Sequence, residues 1–388
     1  MFELIIYLIL KKQLLKKKLH ILFLCGWYPS SVLPQNGDFI MRHAEAVSSK
    51  HKVSVLHIIS KPGVTKTSIE IEKSSNLNTY IAYIKPTKNP ILKLFRFWFA
   101  YRKLLKKIGS FDLVHLNKLY PFGVFALHLK TIKNIPYLIS EHWTGYHLKE
   151  QKYLPWVEKV LSKKITKNAS FVCPVSNDLK KSMHKSGLKG NYEIIPNVVD
   201  THLFKPVKKT TEKFTITHIS NLQDKHKNIS GMLRVAKQLE SSITSFQWNF
   251  IGGKKDPYNG LIDELNFKKS QLNFIDQLSH EKIPKQLTES DVFVLFSNYE
   301  NLPCVILEAF ACGIPVISTD VGGIQEFFPS DFGFLIEKNN EDQLLQKVIE
   351  IYNKPISISK KMHQFANDNF SSEKICESFS ELYLKALN

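Results

Sequence analysis

The chain has 388 residues, with 43% hydrophobic side chains, 53 lysines and arginines, 35 aspartates and glutamates, and five cysteines. This length suggests about two domains that each bury a core, and the ordinary hydrophobic content argues against wholesale disorder. The odd number of cysteines, without a C-x-x-C pair, argues against a disulfide scaffold or a thiolate zinc site and favours a reducing cytosol. No apolar run reaches the roughly 18 residues that span a bilayer, so a polytopic membrane protein is not expected.

The positive charge is concentrated in the first half of the chain. Residues 1–200 carry 32 basic and 12 acidic side chains, whereas residues 201–388 carry 21 and 23. This asymmetry favours a polyanionic partner, either nucleic acid or an anionic membrane surface, although a lysine-rich surface that only aids solubility also fits. The basic residues are scattered and form no nucleic-acid-binding motif, so we expect no nucleic acid partner.

Residues 1–18, MFELIIYLILKKQLLKKK, form an apolar stretch followed by a basic one. The apolar part is short, contains Glu3 and lacks a small-residue cleavage site, which argues against a secretion signal. Two interpretations remain open for this N-terminal extension: a segment that lies at a membrane interface, or an artefact of an upstream start site.

Short apolar segments then alternate with segments of helical length. The first half has apolar segments of strand length at 19–27, 52–60, 112–117, 137–142 and 171–176. After a junction at 194–206 that contains two prolines, the pattern resumes at 214–220, 246–253, 272–276, 291–297 and 315–320. Apolar strands separated by helices predict parallel sheets covered on both faces, and the restart predicts two Rossmann-like α/β domains.

The most informative segment is residues 291–326. A predicted strand ends at Ser297, a loop carries Glu300, and Pro303 suits the first turn of a helix whose second turn carries Glu308. The backbone N–H groups at the start of such a helix suit a phosphate, and carboxylates accept hydrogen bonds from sugar hydroxyls. Both glutamates could instead be solvated surface residues. The apolar context VILEAFACGIPVI argues against this for Glu308, because an idle carboxylate there would be costly.

The string ENLPCVILEAFACGIPVISTDVGGIQE closely resembles the Glu-x7-Glu signature of glycosyltransferase family 4, retaining sugar-nucleotide transferases of the GT-B fold. The resemblance extends over roughly 19–380. IIPNVVDTHLF is similar to the family's junction between domains, with Val198 where glycine is common. The resemblance to this family implies two Rossmann-like domains that face each other across a cleft. These are an acceptor domain at 19–200 and a donor domain at 201–369. A helix at 370–388 would return to the first domain.

The resemblance also implies roles for residues of the donor domain. Glu308 would accept hydrogen bonds from the ribose hydroxyls of the nucleotide, Glu300 would contact the donor sugar, and Lys227 would neutralise the diphosphate. Asn221 stands where the family usually has arginine, which removes one cation from the leaving group. The implied donor-binding positions besides Glu308 are Gly37, Asn221, Leu302, Pro303, Cys304 and Val305. Without the family, Lys227 would be interpreted as a solvated loop lysine.

Two residues of the first domain are implied as well. Gly37 would let the backbone approach the diphosphate, whereas a lone glycine is otherwise interpreted as a turn residue. His142, after a predicted strand, is similar to the family's cleft histidine near the donor sugar; the alternative is a structural histidine at a strand end.

The family's reaction is retaining transfer from a UDP-sugar or GDP-sugar to a glycan or lipid-linked acceptor, in polysaccharide or glycolipid synthesis. Cations and N–H groups can stabilise the leaving diphosphate. Because the sequence has no D-x-D between strands and no His/Cys cluster, we expect no metal and no cofactor. The alternatives are another GT-B enzyme, such as a sugar-nucleotide epimerase, or a non-catalytic sugar-nucleotide binding protein.

The segment 91–108 predicts a basic amphipathic helix. At 100° per residue, one of its faces carries these residues: Ile91, Leu94, Phe95, Trp98, Tyr101, Leu105 and Ile108. Such a helix suits an anionic membrane interface, although a core-packing helix with solvated lysines has the same pattern. With the charge of the first half, this favours an enzyme peripheral to the inner face of the cell membrane.

Overall fold

The computed structural model describes residues 17–147, 155–268 and 271–388. The predicted extension at 1–18 therefore lies almost wholly outside the described residues. The chain divides into two compact units. The first contains the residues up to Val198 together with Ser372–Asn388, and the second is Val199–Ser371.

The first unit contains a seven-stranded sheet in the described part of the chain. Its strands are β1 (His20–Cys25), β2 (Lys52–Ser60), β3 (Ser68–Lys73), β4 (Leu77–Ile84), β5 (Leu113–Asn117), β6 (Tyr137–Glu141) and β7 (Phe171–Pro174). Their order is β3-β4-β2-β1-β5-β6-β7, and only the edge strand β3 is antiparallel to its neighbour. Apart from β3, this is the doubly wound order of a Rossmann fold, with its switch point between β1 and β5.

Helices connect most of the parallel strands, whereas β2 and β4 are connected through the edge strand β3. Those of the first unit before its junction are α1 (Asp38–Ser48), α2 (Pro90–Ile108), α3 (Gly123–Lys133), α4 (Trp156–Asn168) and α5 (Asn177–Lys185). Asn89 caps the start of α2 by accepting hydrogen bonds from the backbone N–H groups of Ile91 and Leu92, which explains where that helix begins.

The second unit contains six parallel strands in its described residues. They are β8 (Phe214–Ile219), β9 (Phe246–Ile251), β10 (Gln271–Ile275), β11 (Val292–Leu295), β12 (Val316–Thr319) and β13 (Gly333–Ile336). Their order, β10-β9-β8-β11-β12-β13, is again the Rossmann order, with the switch point between β8 and β11. The prediction of two Rossmann-like domains is therefore confirmed.

The helices of the second unit cover both faces of its sheet. They are α6 (Asp224–Lys227), α7 (Ile229–Leu239), α8 (Asn259–Leu265), α9 (Ile283–Thr288), α10 (Cys304–Ala311), α11 (Glu341–Asn353) and α12 (Ser359–Phe370). The core includes three large aromatic side chains of β9, Phe246, Trp248 and Phe250, all fully buried. These three residues occupy every second position of β9 and therefore lie on one face of the sheet, whereas Gln247 and Asn249 alternate with them on the other.

The C-terminal helix α13 (Ser372–Leu387) packs in the first unit. Its buried side chains recur at helical spacing at Ile375, Phe379 and Tyr383, and they join the same core as the strand β1. The Tyr383 hydroxyl lies 2.7 Å from Nδ1 of His115 on β5. The helix thereby completes the core of the unit that contains the start of the chain.

The first unit buries several histidines. Burial lowers the pKa of His43, His51 and His57 to about 4 in each case, and it lowers the pKa of His115 well below its usual value. Hydrogen bonds fix the neutral form of His51: Nδ1 accepts from the backbone N–H of Leu19 at 3.3 Å, and Nε2 lies 2.9 Å from Oγ of Ser380 in α13.

These histidines predict that the protein loses stability in mild acid. Their pKa values are lower in the folded chain than in the unfolded chain, so the unfolded chain binds more protons below about pH 6.5. The free energy of unfolding should therefore fall as the pH drops from about 6.5 to about 4, by up to about 1.4 kcal/mol per pH unit for each histidine. Urea denaturation at a series of pH values measures the slope of the free energy of unfolding against pH. His51→Gln should make it shallower, and His184→Gln, at an exposed position, is the control. A slope that His51→Gln leaves unchanged would contradict the prediction.

Candidate functional site

The loops at the switch point of the second unit bring two predicted residues together. The strands β8 and β11 lie side by side, and the chain leaves their carboxyl ends toward opposite edges of the sheet. Ligands of open α/β sheets bind at this crevice. The loop after β8 leads into α6, which ends at Lys227, and the loop after β11 carries Glu300.

Lys227 and Glu300 form an ion pair, with Nζ 2.5 Å from Oε1. The two side chains are 18% and 10% exposed, so water screens them only weakly. Asn298 holds the two loops in register, because its backbone N–H donates to the carbonyl of His226 at 2.7 Å and its Nδ2 donates to that of Lys225 at 3.1 Å. These contacts join the loop that carries Glu300 to the helix that ends at Lys227.

A glycine turn supports the loop that carries Glu300. Gly322 has φ +63°, and a Cβ atom placed there would lie 2.0 Å from the carbonyl oxygen of Glu300. The N–H of Gly323 donates to the carbonyl of Asn301 at 2.8 Å. A side chain at position 322 is therefore excluded both by the backbone conformation and by the contact.

Glu308 lies in the second turn of α10, as predicted, and is only 2% exposed. Its Oε1 lies 3.2 Å from Nε2 of His280, and the His280 ring packs beside Phe204 with centroids 4.9 Å apart. His280 was not predicted. One indication of His280 was available in the sequence: this residue lies in the loop after β10. The carboxyl end of β10 lies at the same edge of the sheet as those of β8 and β11.

The helix N-terminus predicted near Pro303 is present at the start of α10. Pro303 is the N-cap, in an extended conformation, and its own side chain donates and accepts no capping hydrogen bond. Leu302 is buried, whereas Cys304 and Val305 are half-buried. Helix N-termini carry a partial positive charge, so this arrangement suits an anion.

The loop after β8 is held by a buried histidine. Nδ1 of His218 lies 2.9 Å from the carbonyl of Val294, and its Nε2 lies 2.7 Å from Oγ of Ser220. Burial lowers the pKa of His218 to about 3, so the ring is neutral near pH 7. Asn221 follows in this loop with an exposed side chain, whose Oδ1 accepts a hydrogen bond from the N–H of Gln223 at 3.3 Å. Asn221 supplies no charge here.

The two predicted residues of the first unit lie near one another. Gly37 precedes α1 with φ +80°, and a Cβ atom there would lie 2.8 Å from the backbone of Trp27. Close packing and backbone conformation thus already require this glycine. His142 follows β6, with its ring centroid 4.6 Å from that of Phe39 and 5.5 Å from that of His43. Burial and His43 lower the pKa of His142 well below its usual value, while a hydrogen bond with Asn197 acts in the opposite direction.

Glu141, which was not predicted from the sequence, positions the backbone around His142. This fully buried carboxylate accepts hydrogen bonds from the N–H groups of Leu119, His142 and Trp143 at 2.9 to 3.0 Å. The Tyr146 hydroxyl donates a further one at 3.3 Å. A buried carboxylate needs such donors, and here they hold the backbone of three residues around it. The acidic residue at the end of an apolar strand, in ISEH, was the available signal.

Two general features of the described residues bear on function. They contain no group of three or more His, Cys, Asp and Glu side chains arranged to hold a metal ion. No helix in residues 17–147, 155–268 or 271–388 is long and apolar enough to cross a membrane.

Two family models match most of the chain. The model described as Glycosyltransferase Family 4 matches residues 39–203, and the one described as Glycosyl transferases group 1 matches residues 199–370.

Curated relatives are similar at lower coverage. The chain is 27% identical over 239 residues to a phosphatidylinositol N-acetylglucosaminyltransferase subunit of Arabidopsis thaliana, covering 60% of this chain and 52% of that one. It is 28% identical over 277 residues to the N-acetylgalactosamine-N,N'-diacetylbacillosaminyl-diphospho-undecaprenol 4-alpha-N-acetylgalactosaminyltransferase of Campylobacter jejuni, covering 68% and 73%. The match thus spans about half the length of the first of these relatives.

Solved structures match almost the whole chain in fold. Sucrose-phosphate synthase from Thermosynechococcus elongatus superposes with a TM-score of 0.76 at 21% identity, covering 94% of this chain and 98% of that one. Anabaena Alr3699/HepE in complex with UDP-glucose superposes with a TM-score of 0.68 at 17% identity, covering 94% and 98%. These likenesses establish the fold alone.

The contact between Gly322 and Glu300 predicts that Gly322→Ala destabilises the protein. The added methyl group meets the Glu300 carbonyl and forces an L-residue to keep a positive φ, so we expect a loss of more than about 1 kcal/mol. Gly260→Ala is the matched control, because Gly260 lies in the helix α8 and a Cβ atom there meets nothing within 4 Å. Thermal unfolding should show a lower Tm for the first variant and an equal or higher one for the second. Equal Tm values for Gly322→Ala and the parent would contradict this account of the turn.

Proposed function

Because the chain belongs to the glycosyltransferases of the GT-B fold, with halves that match the family 4 and group 1 models, we propose that it transfers a sugar from a nucleoside-diphosphate sugar to a hydroxyl group, with retention of configuration. The donor is a UDP-sugar or a GDP-sugar, and the acceptor is a glycan or a lipid-linked glycan. The observation that carries the proposal is the Lys227–Glu300 ion pair at the switch point of the second unit, one loop away from the buried Glu308.

The resting ion pair suggests how the donor binds. A diphosphate carries more charge than a carboxylate and has several acceptor oxygens, so it competes with Glu300 for the ammonium group of Lys227. Release of Lys227 leaves the Glu300 carboxylate free to accept hydrogen bonds from hydroxyls of the donor sugar. The exchange keeps both buried charges partnered throughout.

Glu308 is the proposed ribose ligand. Its carboxylate is desolvated, and its contact with His280 fixes one oxygen. Hydrogen bonds to a charged group are worth about 1.5–3 kcal/mol each, so two ribose hydroxyls would contribute strongly to donor binding.

Negative charge builds on the leaving diphosphate during transfer. Lys227 and the backbone N–H groups from Leu302 to Val305 are the proposed stabilising groups, since fixed donors stabilise developing charge without reorganisation. We propose that these groups, rather than a metal ion, supply this stabilisation. His142 lies in the first unit, and its proposed role is to contact the donor sugar as a neutral imidazole.

Asn221 favours a second candidate, a protein that binds sugar nucleotides without transferring the sugar. An uncharged side chain at this position gives the diphosphate one cation fewer than the family usually provides. Release of nucleoside diphosphate that depends on an added acceptor would distinguish transfer from binding alone.

We therefore predict that Glu308→Ala and Lys227→Ala each lower the rate of transfer by at least about 100-fold, because each removes one or more charge-assisted hydrogen bonds to the donor. Release of nucleoside diphosphate is the readout. Glu341→Ala is the control, because Glu341 also belongs to an ion pair of the second unit, with Arg234, but not to the site. Circular dichroism should be the same for all three variants. Full activity in either site variant would refute the assignment.

We propose that the protein associates with the inner face of the cell membrane and that the reaction takes place there. The surface of α2 supports this proposal. Tyr101, Leu104 and Ile108 in its second half are buried. In its first half, by contrast, Leu94, Phe95 and Phe99 are 63%, 56% and 66% exposed. The helix therefore packs by one end and presents aromatic and aliphatic side chains at the other.

Basic side chains accompany this exposed apolar surface. The exposed lysines and arginine of α2 are Lys93, Arg102, Lys103, Lys106 and Lys107. Apolar side chains that enter the interface and cations that attract anionic headgroups are the two terms that bind a peripheral helix to a bilayer. The surface suits an anionic membrane on which a lipid-linked acceptor would be found.

Flotation with vesicles tests this surface. The parent should float with vesicles that contain phosphatidylglycerol at low salt and much less with neutral vesicles or at high salt. The triple variant Leu94→Ser, Phe95→Ser, Phe99→Ser should bind at least about tenfold more weakly, since each change removes about 1.5–3 kcal/mol of apolar burial when the residue is inserted. Ile132→Ser, at a 70% exposed position of α3, is the control. If the parent stays unbound at low salt, the membrane proposal fails while the transfer reaction is unaffected.

A further inference from the structure

The switch point of the first unit holds a lysine that the proposed reaction leaves unused. Lys118 directly follows β5, next to the carboxyl end of β1. Its backbone N–H donates to the carbonyl of Ser140 at 3.0 Å, while the N–H of Gly26 donates to the carbonyl of Asn117, also at 3.0 Å. The backbone of Lys118 is therefore fixed from two neighbouring strands.

The backbone conformation at Lys118 is unusual for a residue with a side chain. Its φ is +71°, in the left-handed region that favours glycine and asparagine. Strained backbone of this kind persists only where its surroundings hold it, and it is concentrated at functional sites. The strained backbone alone identifies no ligand, but it fixes the direction in which the Lys118 side chain extends.

The side chain of Lys118 lies against two aromatic rings. The ammonium nitrogen of Lys118 lies 3.9 Å from the ring centroid of Trp27 and 5.9 Å from that of Trp143. Aromatic faces attract a cation and hold its position, but they do not neutralise it. Burial lowers the pKa of Lys118, against the attraction of Glu141 and Glu158.

Neither carboxylate forms an ion pair with Lys118 in the described part of the chain. Glu141 already accepts four hydrogen bonds from other groups. Within the described ranges, the two indole rings are the only hydrogen-bonding, ionic or ring partners of the Lys118 ammonium. A partly desolvated cation without an anionic partner gains more from binding an anion than an exposed lysine does.

The surroundings connect this lysine to the predicted site of the first unit. Trp27 packs against Gly37, at a backbone position where only glycine fits. The ring centroid of Trp27 lies 6.4 Å from that of Phe39, and the Phe39 ring contacts His142. Glu141 fixes the backbone of Leu119 on one side of Lys118 and that of Trp143 on the other.

We infer that Lys118 binds a phosphate oxygen of a substrate, with Trp27 and Trp143 as the walls of the subsite. The inference rests on the proposed function, because sugar transfer supplies two sources of such oxygens. One is the diphosphate of the nucleotide-sugar donor, and the other is the phosphate of a lipid-diphosphate acceptor. The ammonium group contributes a charge-assisted hydrogen bond in either case.

The test uses Lys118→Met, which removes the charge and keeps the length of the side chain, and Lys118→Arg, which keeps the charge. The control is Lys61→Met, because Lys61 also lies over an aromatic ring, 4.6 Å from the centroid of Tyr83, but donates to Oγ of Ser31 at 3.0 Å. Calorimetry on the full chain measures binding of pyrophosphate, UDP, GDP and farnesyl diphosphate.

Lys118→Met should weaken binding of pyrophosphate at least tenfold, Lys118→Arg by less than about threefold, and Lys61→Met not at all. A parallel loss for UDP or GDP assigns the subsite to the donor, whereas a loss for farnesyl diphosphate alone assigns it to the acceptor. Unchanged binding of all four probes by Lys118→Met, with an unchanged Tm, would overturn the inference and leave Lys118 as a packing residue. Loss of transfer in Glu308→Ala is a separate result, so the proposed function stands or fails independently.

Discussion

The ion pair between Lys227 and Glu300 is the interaction on which the rest of the candidate site depends. Two largely buried charges are stable only while each has a partner, and loss of one partner costs about 3–5 kcal/mol. The resting protein satisfies this constraint internally. Any ligand that separates the pair must supply an anion for the lysine and a donor for the carboxylate. A sugar linked to a diphosphate offers both in one molecule, so the pair supports the proposal of that class of ligand.

The scaffold around the pair consists mainly of backbone contacts. Asn298 bonds to the backbone of one loop, Gly322 packs on the backbone of Glu300, and His218 bonds to the carbonyl of Val294. Backbone groups cannot change rotamer, so these contacts leave the two charged side chains little freedom. Such preorganisation lowers the cost of ordering a binding site. The glycines and the neutral histidine therefore serve the site although none of them needs to contact the ligand.

In the described residues, the sequence predicts ten of the thirteen strands and misses β3, β4 and β13. The ten predicted strands correspond to ten strands of the two sheets, because each of them carries closely spaced apolar side chains of the kind that a sheet covered by helices buries. The antiparallel edge strand β3, SIEIEK, is mostly exposed and polar, and β13 has only four residues, so neither gave an apolar run of strand length. β4, LNTYIAYI, was missed as well, because polar residues interrupt its start.

The same distinction applies to the site. The spacing of Glu300 and Glu308 is a local property, so a single segment predicted the loop and the helix that carry them. The contact of Lys227 with Glu300 joins residues 73 positions apart, and that of His280 with Glu308 joins residues 28 apart. Only the strand order brings such residues to one edge of the sheet. Lys118 was beyond sequence reasoning for another reason: its interest lies in the aromatic rings around it, and nothing in HLNKLYP indicates them.

The positive charge of the first half of the chain explains why it matters that the histidines buried there are neutral. Residues 1–200 already carry an excess of 20 positive charges, and each protonated histidine would add to the repulsion within this half. Burial keeps His43, His51 and His57 neutral near pH 7, so their rings pack as aromatic groups. Lys118, by contrast, is a partly buried cation in a half that is already cationic. Binding an anion there relieves both the local desolvation and the wider repulsion. The excess charge therefore favours phosphate-bearing ligands at the first unit more than a single lysine on a neutral surface would.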